Sequence, residues 1–223
     1  MKEIANIVNN LFDDTSKIVT TEKISGLKRI KNSFCEVPEL EEFFENTKLT
    51  ETIESYYGGP FKIYSCDIFR TFYPCANLKE NLNSSNMWHY DTSPNQLIKV
   101  FVYLSDVTKN NGATSIVPAG ICTAQFKNYW NRFKQQDMWP EIDKYEIRAE
   151  AEFGSTLIFR PQHCLHKANQ PQPSEYRDVA VFLLHPSLKK YEKTTPEMRL
   201  KYSRNFGYLY NPFTSRTIRY GEK

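Results

Sequence analysis

Apolar residues recur along this chain at two different periods, and the change falls at Gly58-Gly59-Pro60. Before that break the spacing is helical: Ile4, Ile7, Val8, Leu11 and Phe12 share one face of an N-terminal helix. Pro38 to Thr47 (PELEEFFENT) predicts a helix with proline in its first turn, and Leu49 to Tyr57 a second short one that the two glycines and the proline stop. After the break, short runs of β-branched and aromatic residues predict strands at Phe61 to Phe72 (FKIYSCDIFRTF), Trp88 to Asp91, Leu97 to Leu104, Ala113 to Val117, Glu146 to Glu152, Ser155 to Phe159 and Val179 to Leu184. Asn110-Asn111-Gly112 and Gly154 supply turns between them. Lys127 to Trp139 reads as a polar and aromatic insertion with helical spacing, of a length suited to a lid or a wall.

Short strands without βαβ alternation predict a mainly β, α+β fold, an antiparallel barrel or jelly roll with an N-terminal helical layer. At 223 residues and 40% apolar content the chain fits one domain: helices over 1–60, the β core over 61–185 and a basic, aromatic tail over 186–223. The five cysteines are scattered without a CxxC pair, which argues against a disulfide framework or zinc knuckle and for a reducing, cytoplasmic setting. The N-terminus is too interrupted by Glu3, Asn6, Asn9 and Asn10 for a signal peptide, and no apolar run is long enough to span a membrane. Net charge is +3, but residues 187 to 223 hold nine Lys or Arg against three Glu, leaving the rest of the chain at −3. Interleaved Tyr and Phe predict that this tail packs on the domain, and no nucleic-acid-binding module accompanies it.

The chemistry concentrates around Trp88-His89-Tyr90-Asp91. On an extended segment, residues i and i+2 point the same way, so His89 and Asp91 can reach one metal. Two imidazoles and one carboxylate are the ligand set of a mononuclear non-haem iron(II) site with open positions. His163 and His166 both follow the strand at Ser155 to Phe159. Arg177 selects His166, because a distal histidine followed by a strand-borne arginine suits a dicarboxylate held between metal and guanidinium. His163 and His185 then read as structural or supporting residues, and Cys164 as a small buried hydrophobe.

The ordered set Trp88-His89-x-Asp91, Lys99 to Val107 (KVFVYLSDV), Asn111-Gly112-Ala113, Ile116-Val117-Pro118, Gly154 to Phe159 (GSTLIF), His166, Asn169 and Arg177 resembles the phytanoyl-CoA dioxygenase family over about residues 49 to 185. The resemblance implies a double-stranded β-helix (jelly-roll, cupin-like) and an iron(II)- and 2-oxoglutarate-dependent oxygenase. It places His89, Asp91 and His166 on iron(II), Arg177 on the distal carboxylate of 2-oxoglutarate, and O2 as the oxidant. Two features depart from it: Pro118-Ala119-Gly120-Ile121 replaces the usual Pro-Gly-Ser-His, and the N-terminal layer is short, which weakens a CoA thioester as substrate. Asp91 keeps the carboxylate that halogenating relatives replace, which favours hydroxylation, or another oxidation at the same iron, over halogenation.

Substrate contacts are expected from Arg70, Arg160, Trp130 and Lys99, with Trp88, Phe101 and Tyr103 as further apolar walls. Arg70 and Arg160 end apolar strands as candidate clamps for a carboxylate or phosphate, and Lys99 sits mid-strand among apolar residues, facing either solvent or the site. The expected partner is a small-molecule substrate, an anionic one included. The competing readings are the same chemistry on a peptide, protein or carrier-bound substrate docked on the basic tail, and a non-catalytic jelly-roll binding protein.

Overall fold

The computed structural model describes residues 2–20, 26–30, 33–73, 86–91, 96–125, 140–199, 208–211 and 216–219. Its larger sheet has six strands, β1 (Ile18–Thr20), β2 (Leu27–Ile30), β3 (Phe61–Phe72), β4 (Ile98–Tyr103), β7 (Thr156–Phe159) and β9 (Tyr176–Pro186), in the order β1-β2-β3-β9-β4-β7. Its smaller sheet has β5 (Thr114–Val117), β6 (Ile147–Arg148) and β8 (Leu165–Ala168), in the order β6-β5-β8. All these pairings are antiparallel. Side chains from both sheets wall one cavity, so the sheets form the two layers of a jelly roll. A separate hairpin joins β10 (Tyr208–Asn211) to β11 (Arg216–Arg219).

Strand β3 organises both faces of the larger sheet. A bulge between Ile63 and Ser65 shifts its parity, so Phe61 and Ile63 share the helix-facing core with Cys66 and Ile68. Beyond the bulge, Phe69 and Thr71 turn to the inner face and wall the cavity. Helices cover the outer face. The helix α1 (Lys2–Asp13) buries Ile4, Val8 and Phe12. The helix α2 (Thr47–Tyr57) starts where Asn46 Oδ1 accepts the Leu49 N–H and ends at Gly58, whose φ of 67° closes a left-handed cap. Phe34, Val37, Leu40, Ile53, Ile68 and Phe182 are almost wholly buried between these layers. Each such side chain contributes about 1.5–3 kcal/mol, so packing holds these short helices more than helix propensity does.

Several elements differ from the sequence expectation. The first sixty residues are not all helical, because β1 and β2 extend the larger sheet beyond β3. Residues Pro38–Glu45 wind as a 3-10 helix instead of an α-helix. The strand expected at Trp88 to Asp91 is reduced to a single bridge between His89 and His166, and Glu146 to Glu152 to the two residues of β6 and a bridge from Ala151 to Val107. The insertion at Lys127 to Trp139, with Trp130, lies outside the described residues. The described start of the basic tail packs on the domain. The Tyr191 ring stacks on Phe61 at 5.2 Å, while Tyr191, Thr194 and Arg199 converge on the buried Glu41 carboxylate. Among the described residues no helix is long and apolar enough to cross a membrane.

Candidate metal centre and cosubstrate pocket

His89 and His166 are tied together through their backbones. Each N–H donates to the other's carbonyl, at 3.1 and 3.0 Å. His166 belongs to β8, and the Asp91 N–H is anchored on the Pro161 carbonyl at 2.9 Å, just before that strand. The i and i+2 relation therefore survives without a full strand, and the ligand atoms of His89, Asp91 and His166 all lie within 4.8 Å of one another. Asp91 Oδ1 is 3.7 Å from the Nε2 of each histidine. His163, the rejected alternative, stands outside this cluster with its Nε2 2.7 Å from Arg160 Nη2.

The two rings are oriented by backbone carbonyls. His89 Nδ1 is 2.7 Å from the Met87 carbonyl and His166 Nδ1 is 3.0 Å from that of Cys164. A carbonyl only accepts, so each Nδ1 carries the proton and each Nε2 turns a lone pair towards Asp91. Burial pushes the His166 pKa down to about 3, and Lys99 and His89 push the same way, so its imidazole is neutral at pH 7. For Asp91, burial opposes ionisation, but the Lys99 ammonium together with the His166 and His89 rings outweighs it and holds the carboxyl well below the usual range. Two imidazoles with Nδ1 on a carbonyl and a carboxylate, preset in orientation, fit a divalent metal of the iron type.

Arg177 occupies the same cavity, of about 320 Å3, from β9. It is 4% exposed and its Nη1 donates to Thr114 Oγ1 at 2.9 Å and to the Gly112 carbonyl. Its Nε is buried without a hydrogen-bond partner, and among the described residues no carboxylate pairs with the guanidinium. Burial pushes its pKa down, although a guanidinium remains charged. A buried cation seated only on neutral groups is costly, and an incoming carboxylate relieves it. Gly112 makes the seat possible: at φ 79° its missing Cβ leaves room for the Asn169 carbonyl and Pro171. The sequence reading missed this carbonyl along with Thr71 and Thr114, although the Asn-Asn-Gly turn marked the place.

The expected substrate residues separate. Lys99 faces the site and lines the cavity, with Nζ 2.5 Å from Asp91 Oδ2. Arg70 is a correction: it lies on the helix-facing side of β3, opposite Asp178 in the register, and grips that carboxylate at 2.8 and 2.7 Å. Arg177 and Asp178 are consecutive on β9, so they point to opposite faces, and only the first looks inward. Arg160 is also absent from the cavity wall; its guanidinium engages His163 and lies over the Tyr56 ring at 6.0 Å. Phe101 lines the cavity, but Trp88 packs with Val117 and Leu165, its indole N–H on Asp143 at 3.1 Å. Tyr103 is buried with its hydroxyl on the Ala149 carbonyl. Leu27, Phe72, Asn86 and Gln170 also line the cavity without having been singled out in the sequence.

No protein-family model matches the chain and no curated protein matches it, so the likeness to the phytanoyl-CoA dioxygenase family rests on the quoted motifs alone. Solved structures do match. SnoN, a non-heme alpha ketoglutarate dependent epimerase from nogalamycin biosynthesis, superposes with a TM-score of 0.58 at 12% identity, covering 83% of this chain and 73% of its own. SnoK, a carbocyclase of the same dependence and pathway, gives 0.58 at 14% identity, covering 90% and 81%. EctD from S. alaskensis, determined with 2-oxoglutarate and 5-hydroxyectoine, gives 0.55 at 13% identity, covering 83% and 67%. At these identities the likeness shows the fold: a mainly antiparallel, cupin-like jelly roll shared with iron- and 2-oxoglutarate-dependent enzymes.

Proposed function

We propose that the protein is a non-haem iron(II)- and 2-oxoglutarate-dependent dioxygenase that hydroxylates a C–H bond of a small metabolite. The observation that carries this reading is one cavity lined both by His89 and His166, two members of a His-Asp-His cluster, and by a buried guanidinium that no described carboxylate neutralises. His89, Asp91 and His166 would hold the metal. Arg177, steadied by Thr114 and the Gly112 carbonyl, would take the distal carboxylate of 2-oxoglutarate through a planar, charge-assisted pair. The metal supplies, when bound, the oxidative decarboxylation of 2-oxoglutarate to succinate and CO2 coupled to oxidation of the substrate.

The chain's own residues position the reactants and exclude water. Phe69, Phe101, Val179 and Val181 line the cavity beside the histidines and Arg177, so charge interactions there act in a poorly solvated space. Phe159 braces the His166 ring edge-on at 5.1 Å. SnoN and SnoK are an epimerase and a carbocyclase on this fold, so the outcome depends on where a substrate C–H bond is placed. Asp91 retains the carboxylate, which argues against halogenation, and hydroxylation is the outcome proposed among those that remain.

The test is succinate formation from 2-oxoglutarate by the iron(II)-loaded protein in air, with Arg177→Met as the paired variant. Wild type is expected to form succinate, slowly without substrate, and Arg177→Met to lose 2-oxoglutarate affinity by roughly a hundredfold while keeping metal binding. Succinate formation unaffected by Arg177→Met would overturn the assignment of the cosubstrate pocket.

A further inference from the structure

We propose that Lys99 is a positioning residue of the metal site, which holds Asp91 as a one-oxygen ligand and lowers its donor strength. The inference rests on reading His89, Asp91 and His166 as metal ligands. Asp91 Oδ1 is the oxygen that faces the cluster, 3.7 Å from each Nε2. Asp91 Oδ2 is taken by the Lys99 ammonium at 2.5 Å. The two carboxylate oxygens thus have separate partners.

The placement of Lys99 is hard to account for as packing. It lies on β4, within Ile98–Tyr103, and shares the inner face with Phe101, which lines the same cavity. Its side chain is 17% exposed. An apolar residue would finish that face without cost, whereas an ammonium there is unfavourable unless paired. Among the described residues, Asp91 is the carboxylate within ion-pair distance of it.

Two consequences follow from the chemistry of a carboxylate ligand. A carboxylate that chelates through both oxygens takes two coordination positions, while one restrained to Oδ1 takes one. With two imidazoles, the restrained form leaves three positions of an octahedron open, enough for a bidentate cosubstrate and one further ligand. The ammonium also places a positive charge beside the metal position, which opposes metal binding. Restraint and charge are separable, because a neutral amide at position 99 could still donate to Oδ2.

The experiment is calorimetric titration of the full chain with Co(II), then of the Co(II)-loaded protein with 2-oxoglutarate. Lys99→Met is expected to bind Co(II) roughly tenfold tighter or more, from the removed repulsion, and to bind 2-oxoglutarate roughly tenfold weaker, because the freed Oδ2 takes an open position. Lys99→Gln keeps a donor without the charge, so it is expected to bind Co(II) tighter and 2-oxoglutarate as wild type does. A purely structural role for Lys99 would weaken both affinities together or leave both unchanged, and either result for Lys99→Met overturns the proposal. So does wild-type Co(II) affinity in Lys99→Gln. Co(II) binding by wild type that is lost in His166→Ala keeps the metal-site reading standing even if the Lys99 variants disagree. No binding by wild type would remove that reading and the proposal with it.

Discussion

Replacing Arg70 by Ala tests the assignment of this arginine to the fold, because the sequence pattern pointed to substrate binding and the structure points to stability. The substitution removes a two-pronged grip on Asp178, at 2.8 and 2.7 Å, and the contact with Asn9 Oδ1 at 2.6 Å. It also removes the guanidinium from between the rings of Phe12 and Tyr176, at 4.5 and 4.4 Å. The Asp178 side chain is 3% exposed and would be left as an uncompensated buried charge. Breaking such a pair costs about 3–5 kcal/mol, against about 0–1 kcal/mol for an exposed one. Burial already raises the Asp178 pKa in spite of Arg70, and without Arg70 it rises further. A folded-state pKa above the unfolded one means the folded form prefers the neutral acid, so the deficit should be small in acid and grow as pH rises. Urea denaturation of wild type and Arg70→Ala at several pH values measures it, and Asp178→Asn on the Arg70→Ala background should recover part of the loss. A stability change under about half a kcal/mol at neutral pH, with a raised KM for an organic substrate, would refute the structural role.

Two further changes probe the frame of the site. Gly112→Ala sets an L-residue at a φ of 79° and drives its Cβ to 2.8 Å from the Pro171 nitrogen, which should cost about 2–5 kcal/mol. Because the Gly112 carbonyl seats Arg177, 2-oxoglutarate affinity should fall as the melting temperature falls, and unchanged values of both would contradict the account. Asp67 titrates near pH 7, pushed up by burial with Arg29 at 3.8 Å opposing. The folded pKa lies above the unfolded one, so this group lowers stability as pH rises from about 4 through about 7. Asp67→Asn should match wild type in acid and exceed it above neutrality by at most about 4 kcal/mol, and a gap that does not widen with pH would remove the assigned shift.

What could be read from the chain divides along physical lines. His89 and Asp91 were legible because their two-residue spacing fixes a shared direction whether the segment is a strand or a single bridge. Choosing His166 over His163 needed Arg177 as a second anchor, and the structure puts the two in one cavity. Arg70 was misplaced for a reason that alternation cannot resolve. The pattern shows that Cys66, Ile68 and Arg70 share a face, but which face looks inward depends on the bulge after Ile63 and on the helices behind it. The neighbouring Arg177-Asp178 pair held a clue, since opposite pleats send one to the cavity and the other to Arg70. The strands β1 and β2 were invisible because three- and four-residue segments with Lys28 and Arg29 carry too little periodicity, yet they bring Leu27 to the cavity wall.

The central claim is that His89, Asp91 and His166 hold one iron(II) on which 2-oxoglutarate chelates. Anaerobic titration with iron(II), followed by 2-oxoglutarate and watched for the visible metal-to-ligand charge-transfer band, tests it most directly. Wild type and His163→Ala are expected to bind one iron and develop the band, and His166→Ala to do neither. A band that survives His166→Ala and vanishes in His163→Ala, or no iron binding by wild type, would contradict the account.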